Sequence, residues 1–226
     1  MTPPIFLLAA CLRRDIPEIS DWYALILEAN EHLVAPALYR AVSNNSAVEL
    51  PEDVESYLHL IYKMNSARNE QLRAQCLTAI AALNAGGLEP TLIKGAAVLL
   101  TASEGERGDR MLCDLDILLN APDLEHGMQL LSHLGYRAAR GDIGAHAHAK
   151  LLRPEDVGTV DLHHRPPGPM RIHRRGPIQA GVSVSIDGCS LQLPSGTDRI
   201  VHLIGHDMAT IPECLDPPET NHYRNK

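Results

Sequence analysis

Aromatic side chains are scarce in this sequence of 226 residues: they make up 4% of it, with one tryptophan, one phenylalanine and six tyrosines. The core must therefore be built mainly from Leu, Ile, Val and Ala. Apolar residues still account for 45% of the chain and charged residues for 21%, a balance that excludes wholesale disorder. The length favours one large domain or two small ones.

Paired cysteines and long apolar runs are also missing. The five cysteines are widely spaced without a C-x-x-C pair, so neither a disulfide framework nor a zinc ribbon is predicted. No apolar run approaches the roughly 20 residues that cross a bilayer. The apolar stretch 5–12 precedes the basic pair Arg13-Arg14, which is the reverse of the order in a secretory signal. We therefore expect a cytoplasmic protein without a membrane partner.

Positive charge is in deficit, with 20 Lys and Arg against 28 Asp and Glu, a net charge of −8. Such a chain is not expected to coat nucleic acid by neutralising phosphates. The chain could still bind polyphosphate, RNA included, if divalent cations mediate the contact, because the metal then supplies the positive charge. The one basic cluster, Arg171–Arg175 (RIHRR), is either a solvated loop or a contact for an acidic acceptor.

The apolar spacing predicts a helical first third and an α/β remainder. Helices are expected at 21–30, 36–42, 51–85 (unbroken, or kinked or split near 65–69), 96–103, 122–134 and 196–208. Strands are expected at 90–94, 111–119, 147–152 and 159–163, with a hairpin of 182–186 and 189–193 across Asp187-Gly188. We divide the chain into a helical region (1–87), a catalytic core (88–210) and a polar tail (211–226).

Two aspartates interrupt the most apolar of these strands, residues 110–119 (RMLCDLDILL). Asp114 and Asp116 are two residues apart, so they share one face of a strand with Cα atoms about 6.6 Å apart. Buried and unpaired, they would repel each other and lose hydration, and a divalent cation such as Mg²⁺ relieves both penalties. The structural alternative is a pair at a frayed strand end, in a turn or beside Arg110.

A third carboxylate, Asp161, interrupts the strand at 159–163 (TVDLH). If this strand lies beside the first, three carboxylates converge, which is enough to hold two metal ions about 3.5–4 Å apart. The structural alternative is an ordinary residue at a strand edge.

Residues 91–97 (TLIKGAA) followed by 110–119 (RMLCDLDILL) resemble the signature of the uncharacterised nucleotidyltransferase family. That family belongs to the DNA polymerase β-like nucleotidyltransferase superfamily. Further pieces that fit the family in order are Trp22, Pro36, Asn69, the Leu-Gly-Tyr at 134–136, His146, His148 and the Val-Asp-Leu-His at 160–163. The resemblance covers most of the chain and implies an α/β (α+β) fold, a helical block followed by a mixed sheet flanked by helices.

The resemblance also implies an activity: Mg²⁺-dependent transfer of a nucleoside monophosphate from an NTP, ATP being the expected donor, to an unknown hydroxyl acceptor. Asp114, Asp116 and Asp161 match the metal-binding and catalytic carboxylates, which imply two Mg²⁺ ions, with Mn²⁺ as an alternative. Gly95 and Ala96 fall where the superfamily has Gly-Ser at a helix N-terminus that receives the triphosphate. Lys94 and Arg110 supply nearby positive charge.

Twelve histidines are many for this length, and three of them are candidate substrate contacts: His146, His148 and His163. His163 is expected to share a face with Asp161, the alternative being a hydrogen-bonded structural histidine. His202 and His206 have the i, i+4 spacing of zinc ligands but lack a clear third ligand. His206-Asp207 would suit an all-helical metal phosphohydrolase, but too little chain follows to complete that site.

A second function is kept beside the first: a nucleotide-binding or regulatory module that has the fold but has lost catalysis. Cys113 directly before the aspartate pair and a C-terminus shorter than in many relatives motivate it. A partner chain would then complete the acceptor side.

Overall fold

A computed structural model of the chain describes residues 2–139, 147–166, 168 and 181–209, with side chains up to residue 206. The described residues form seven α-helices and one seven-stranded mixed sheet. The predicted α/β class is therefore confirmed. They fall into two compact units, one within Met1–Ala74 and Thr101–Cys113, the other within Gln75–Leu100 and Asp114–Lys226.

The first unit begins with three short helices: α1 (Pro4–Leu12), α2 (Trp22–Glu31) and α3 (Ala35–Ser43). The carboxylate of Asp21 caps α2 by accepting the N–H of Ala24 at 3.0 Å, and Pro36 lies in the first turn of α3. Aliphatic side chains from these helices and from the start of the next one form a single core: Leu8, Cys11, Leu25, Ala29, Ala35, Leu38, Val42, Val54 and Leu58.

The fourth helix, α4 (Glu52–Ala85), runs unbroken for 34 residues. Acidic residues in its first turn favour the positive end of the helix dipole, and Gly87 with φ +80° supplies the left-handed residue that ends it. Of the two expectations for this stretch, the unbroken helix is the one observed. Its residues up to Ala74 belong to the first unit and those from Gln75 to the second.

Side chains of α4 bind the backbone of the segment 101–113 within the first unit. Asn65 Nδ2 donates to the carbonyl oxygens of Gly108 and Arg110 at 2.7 and 3.0 Å. Asn69 Nδ2 donates to those of Arg107 and Arg110 at 2.6 and 2.8 Å. Arg68 Nη1 donates to the carbonyl oxygen of Leu112, so this carbonyl is not available to a β-ladder, and the strand predicted at 111–119 begins only at Asp114.

The second unit contains the sheet and the remaining helices. The strands are β1 (Thr91–Leu92), β2 (Asp114–Leu118), β3 (Arg137–Ala138), β4 (Ala147–Leu152), β5 (Thr159–His163), β6 (Val182–Ile186) and β7 (Cys189–Leu193). The helices are α5 (Lys94–Thr101), α6 (Leu124–His133) and α7 (Gly196–Ala209). Strand order is β3-β4-β5-β2-β1-β7-β6. The bounds predicted for β4, β5, β6 and β7 are confirmed, whereas β3 was not predicted.

The apolar strands β2 and β5 are neighbours in the middle of the sheet. They are parallel, with Asp114 opposite Thr159 and Asp116 opposite Asp161. β1 is antiparallel to β2, and β4 is antiparallel to β5. At the far edge, Asp187 and Gly188 both have positive φ and close the β6–β7 hairpin as a two-residue turn.

No helix in the described part of the chain combines the length and apolar character that a bilayer crossing requires. The predicted tail, 211–226, and the basic cluster Arg171–Arg175 lie outside the described residues. The division into domains at residue 87 stays a prediction. The all-helical architecture of a metal phosphohydrolase is excluded by the seven-stranded sheet.

Candidate active site

Asp114, Asp116 and Asp161 share one face of the sheet. Asp114 and Asp116 are two residues apart on β2, so their side chains point to the same face. The register between the parallel strands β2 and β5 places Asp161 directly opposite Asp116. The side chain of Asp116 is 4% exposed and that of Asp161 is 16% exposed. The structure therefore brings together the three carboxylates that the sequence singles out.

Asp116 accepts two hydrogen bonds on the same atom. Lys94 Nζ and His163 Nε2 each lie 2.8 Å from its Oδ1. Burial acts to raise the pKa of the Asp116 carboxyl, but the hydrogen bond from His163 and the ammonium of Lys94 outweigh it and hold this pKa below its usual value. Asp116 is consequently an ionised carboxylate in a nearly water-free position.

Asp114 has the opposite electrostatic environment. Burial raises its pKa, and the neighbouring carboxylates of Asp116 and Asp161 raise it further. The positive charges of Lys94 and Lys150 act against this rise without cancelling it. The ionised form of Asp114 is thus disfavoured first by burial and then by its two carboxylate neighbours, and a bound cation would favour that form.

The third carboxylate is fixed by two neighbours that sequence reasoning missed. Thr159 Oγ1 donates to Asp161 Oδ1 at 3.0 Å, and Lys150 Nζ lies 3.5 Å from Asp161 Oδ2. The i, i+2 spacing of Thr159 and Asp161 was visible in the sequence. The pairing of Lys150 with Asp161 was not, because it depends on the register between β4 and β5.

The N-terminus of α5 follows β1 after a single residue, Ile93. Lys94 has φ +49°, a left-handed conformation that a residue with a side chain seldom adopts. Gly95 and Ala96 are buried in the first turn, where a helix leaves its backbone N–H groups without intrahelical acceptors. The Lys94–Asp116 contact joins this helix start to the carboxylate face.

Of the other predicted site residues, Arg110 and His148 are described by the structure and His146 is not. Arg110 is exposed in the first unit, where its carbonyl accepts from Asn65 and Asn69. His148 is half-buried on β4 near His164, whose pKa is lowered by burial and by neighbouring positive groups. His146 lies outside the described residues. The roles proposed for these residues stay predictions.

The two histidines on α7 differ in solvent exposure: His202 is buried and His206 is exposed. Among the residues that the structure describes, no three His, Cys, Asp or Glu side chains stand close enough together to hold one metal ion as they lie. The zinc spacing of His202 and His206 is therefore not part of a described metal group.

The donor chemistry of the carboxylate face nevertheless suits a divalent cation. Its three ligand groups are all carboxylates, the oxygen donors that Mg²⁺ prefers. Burial and the two neighbouring carboxylates raise the pKa of Asp114, and a bound cation would offset both effects. Asp116 Oδ1 is engaged, but the described residues give no hydrogen bond to Oδ2. Coordination would require the three side chains to close around the ion.

Comparison with known proteins bears on the whole arrangement. The model of a family described as "Uncharacterised nucleotidyltransferase" matches residues 18–211 of the chain. The chain belongs to this nucleotidyltransferase family. The match includes most of both units and all three carboxylates, so the family resemblance drawn from short motifs is confirmed over most of the sequence. No curated protein matches the chain in sequence.

Membership of the nucleotidyltransferase family supports a general role in nucleotidyl transfer. The mixed sheet, with its helix N-terminus beside buried carboxylates, is consistent with such a domain.

Proposed function

We propose that the protein transfers a nucleoside monophosphate from an NTP, with ATP as the expected donor, to a hydroxyl group of an acceptor. The observation that carries this proposal is the meeting of three carboxylates from β2 and β5 beside the N-terminus of α5. Carboxylates would hold divalent cations, and a helix N-terminus would receive phosphates. Nucleotidyl transfer needs both groups at one place.

Asp114, Asp116 and Asp161 are proposed to hold two Mg²⁺ ions, with Mn²⁺ as an alternative. When bound, such ions neutralise phosphate charge and lower the pKa of a coordinated hydroxyl group. His163 is a positioning residue, because its buried ring donates to Asp116 and fixes how that carboxylate is presented. Thr159 fixes Asp161 in the same way.

The remaining residues bind and orient the substrates. Backbone N–H groups at Gly95 and Ala96, with the Lys94 ammonium, would bind the β- and γ-phosphates. The acceptor oxygen forms a bond to the α-phosphorus while the bond from that phosphorus to the bridging oxygen breaks, and pyrophosphate leaves with the electron pair. Asp161 would accept the hydroxyl proton and pass it to solvent.

The acceptor is proposed to be a small molecule, a peptide or protein, or an RNA, reached without a membrane and without broad coating of nucleic acid. A partner chain contributing to the acceptor side is part of the same proposal. Arg110, His146 and His148 remain the candidate contacts for substrate, whereas His163 acts through Asp116. The fold leaves the choice among acceptors to residues around the site.

Incubation with α-³²P-labelled ATP, Mg²⁺ and separate acceptor pools tests this function directly. We expect label transfer that falls about a hundredfold or more in Asp116→Asn, because an essential charge at the reacting phosphate is lost. Asp187→Asn is the matched control: this aspartate lies in the β6–β7 turn with positive φ, a conformation that asparagine tolerates. Label transfer that survives Asp116→Asn would contradict the assigned mechanism.

A nucleotide-binding module without catalysis is the second candidate. It is favoured by one observation, the double engagement of Asp116 Oδ1 by Lys94 and His163, which compensates the charge of this one carboxylate without metal. Calorimetry separates the two functions. ATP binding that is independent of Mg²⁺ and is followed by no turnover would support the module and count against transfer.

A further inference from the structure

The two donors on Asp116 differ in mobility. His163 extends from a central strand, and 2% of its side chain is exposed. Lys94 extends from the start of α5, with 15% of its side chain exposed, on a flexible four-carbon stem. If one of the two must leave Asp116, the lysine is the one that can do so without repacking the sheet.

The backbone under Lys94 is held in place independently of its ammonium group. The N–H of Ile93 donates to the carbonyl oxygen of Asp116 at 3.2 Å, and Leu92 of β1 pairs with Ile117 of β2. Nζ can therefore move away from Oδ1 while the Cα atoms of Lys94 and Asp116 stay in register. The ammonium group of Lys94 can therefore change position while the backbone of Lys94 does not.

A cation at the carboxylate face and the Lys94 ammonium would compete for the same negative charge. Lys94 Nζ lies 2.8 Å from Asp116 Oδ1, so a divalent ion on this carboxylate would stand within a few ångströms of another positive charge. Like charges at such short range in a poorly hydrated site repel strongly. Metal binding consequently favours departure of the lysine, and the lysine weakens metal binding.

We propose that Lys94 is an internal counter-ion of Asp116 which a divalent cation displaces, and that the released ammonium then binds the phosphates of the nucleotide. This inference rests on the proposed function, because it takes the carboxylates as the metal site and α5 as the phosphate site. It adds a mechanism of ordered assembly: metal binding at Asp116 makes the phosphate-binding lysine available, so metal and nucleotide favour each other's binding.

The first measurement is Mn²⁺ affinity without nucleotide, followed by electron paramagnetic resonance of the free ion. We expect Lys94→Met and Lys94→Gln to bind Mn²⁺ about tenfold more tightly than the unmodified protein, a typical coupling magnitude. Lys94→Arg keeps the charge and should keep the weaker affinity. Lys150→Met is the matched control: this lysine faces Asp161 at 3.5 Å but is 43% exposed, so its loss should have a smaller effect.

The second measurement is the affinity for ATP, with EDTA and with saturating Mg²⁺. Lys94→Met should weaken ATP binding about tenfold with Mg²⁺ and much less in EDTA, where Lys94 is still held by Asp116. A lysine that simply bound phosphate would give the same loss in both conditions. Circular dichroism of each variant verifies folding, and Lys94→Gln replaces Lys94→Met if the latter unfolds.

The outcomes separate the inference from the proposed function. If the unmodified protein binds Mn²⁺ but both charge-removing variants bind it equally or less tightly, the inference is overturned and the proposed metal site stands. If neither the unmodified protein nor any Lys94 variant binds Mn²⁺, with or without ATP, both are overturned. Tighter Mn²⁺ binding in Lys94→Met that disappears when Asp116→Asn is added supports the displacement.

Discussion

Tyr136 shows how one buried residue in the sheet-containing unit is stabilised. The residue is 3% exposed, and its hydroxyl donates to Asp156 Oδ2 at 2.6 Å. The guanidinium of Arg153 lies over the ring, 5.0 Å from its centre, and also binds Asp156. Burial and the hydrogen bond to Asp156 both raise the pKa of the Tyr136 hydroxyl. The neutral tyrosine is therefore part of the folded state.

This pKa shift predicts a loss of stability at alkaline pH. A tyrosine in the unfolded chain ionises near pH 10, whereas Tyr136 in the folded chain does so only at higher pH. Its contribution is therefore fully present below about pH 10 and is lost as the pH rises above that value. Tyr136→Phe should cost about 1 kcal/mol near pH 8. Near pH 11 the unmodified protein should have lost about 1.4 kcal/mol of this contribution, so the deficit of the variant should disappear or slightly reverse.

Urea unfolding at the two pH values measures this difference. Tyr23→Phe is the control, because 72% of Tyr23 is exposed and its removal should give no such pH dependence. A deficit of Tyr136→Phe that stays constant from neutral to alkaline pH would show that this hydroxyl does not distinguish the folded from the unfolded chain.

The three carboxylates of the candidate site could be predicted from the sequence, but the residues that contact them could not. Asp114, Asp116 and Asp161 were identified because a carboxylate inside an apolar strand needs a compensating charge. Their common face depends on the alternation of side chains along a strand and on two strands being adjacent. Lys150 could not be paired with Asp161 from sequence, because a shift of one residue in register would turn it to the opposite face.

Within the first unit, the middle of α4 organises a segment that has little regular structure of its own. Tyr62, Asn65 and Asn69 lie on one side of the helix at i, i+3 and i+7. The Tyr62 hydroxyl donates to the carbonyl of Gly105 at 2.8 Å, and the two asparagines donate to carbonyls further along the segment 101–113. The helix thus stabilises this segment in addition to the local turn at 103–106, where the Ser103 hydroxyl donates to Glu106 Oε2 at 2.6 Å.

This arrangement predicts that Asn69 contributes strongly to stability. Its side chain is fully buried. Asn69→Ala removes the side-chain donor to the Arg107 carbonyl and one of the two donors to the Arg110 carbonyl, which should cost about 2 kcal/mol. Gln71→Ala on the same helix is the control, because Gln71 is exposed and should change stability by about 0.5 kcal/mol or less. Thermal and urea unfolding check both variants. Equal stability of the two would contradict the role assigned to Asn69.

Element bounds were most predictable where local chemistry sets them. The β6–β7 hairpin follows from Asp187-Gly188, and α4 follows from Pro51 and the glycines that end it. The start of β2 was predicted three residues too early, because the carbonyl of Leu112 is bound by Arg68, which is distant in sequence. β3 escaped prediction because it has two residues, both exposed, and therefore no periodic apolar pattern.

For the molecule as a whole, the acidic net charge disfavours binding of a nucleic acid but does not exclude binding of a nucleotide through a divalent cation. The net charge of −8 opposes binding along a phosphate backbone, while three of the acids stand together where a cation would be attracted. The overall charge and the local site therefore have different consequences for the same class of ligand. Composition alone predicted the first consequence, and only the position of the acids predicted the second.

We expect no binding of single-stranded or transfer RNA in EDTA at about 50 mM salt, with a dissociation constant weaker than about 100 μM. Fluorescence anisotropy with labelled RNA measures this. A basic nucleic-acid-binding domain of similar size serves as the positive control. Salt-sensitive binding in EDTA would contradict the prediction, and its loss after neutralising Arg171, Arg174 and Arg175 would assign it to the basic cluster.

The short strand β1 provides a way to measure whether the sheet separates locally at the candidate site. β1 has two residues, yet it joins β2 on one side to β7 on the other, and Lys94 follows it after one residue. The N–H of Ile93, bound to the carbonyl of Asp116, lies at this junction. Its exchange with deuterium therefore reports the separation of β1 from β2. If the Ile93 amide exchanges more slowly when metal and nucleotide are added, substrate binding stabilises the pairing of β1 with β2.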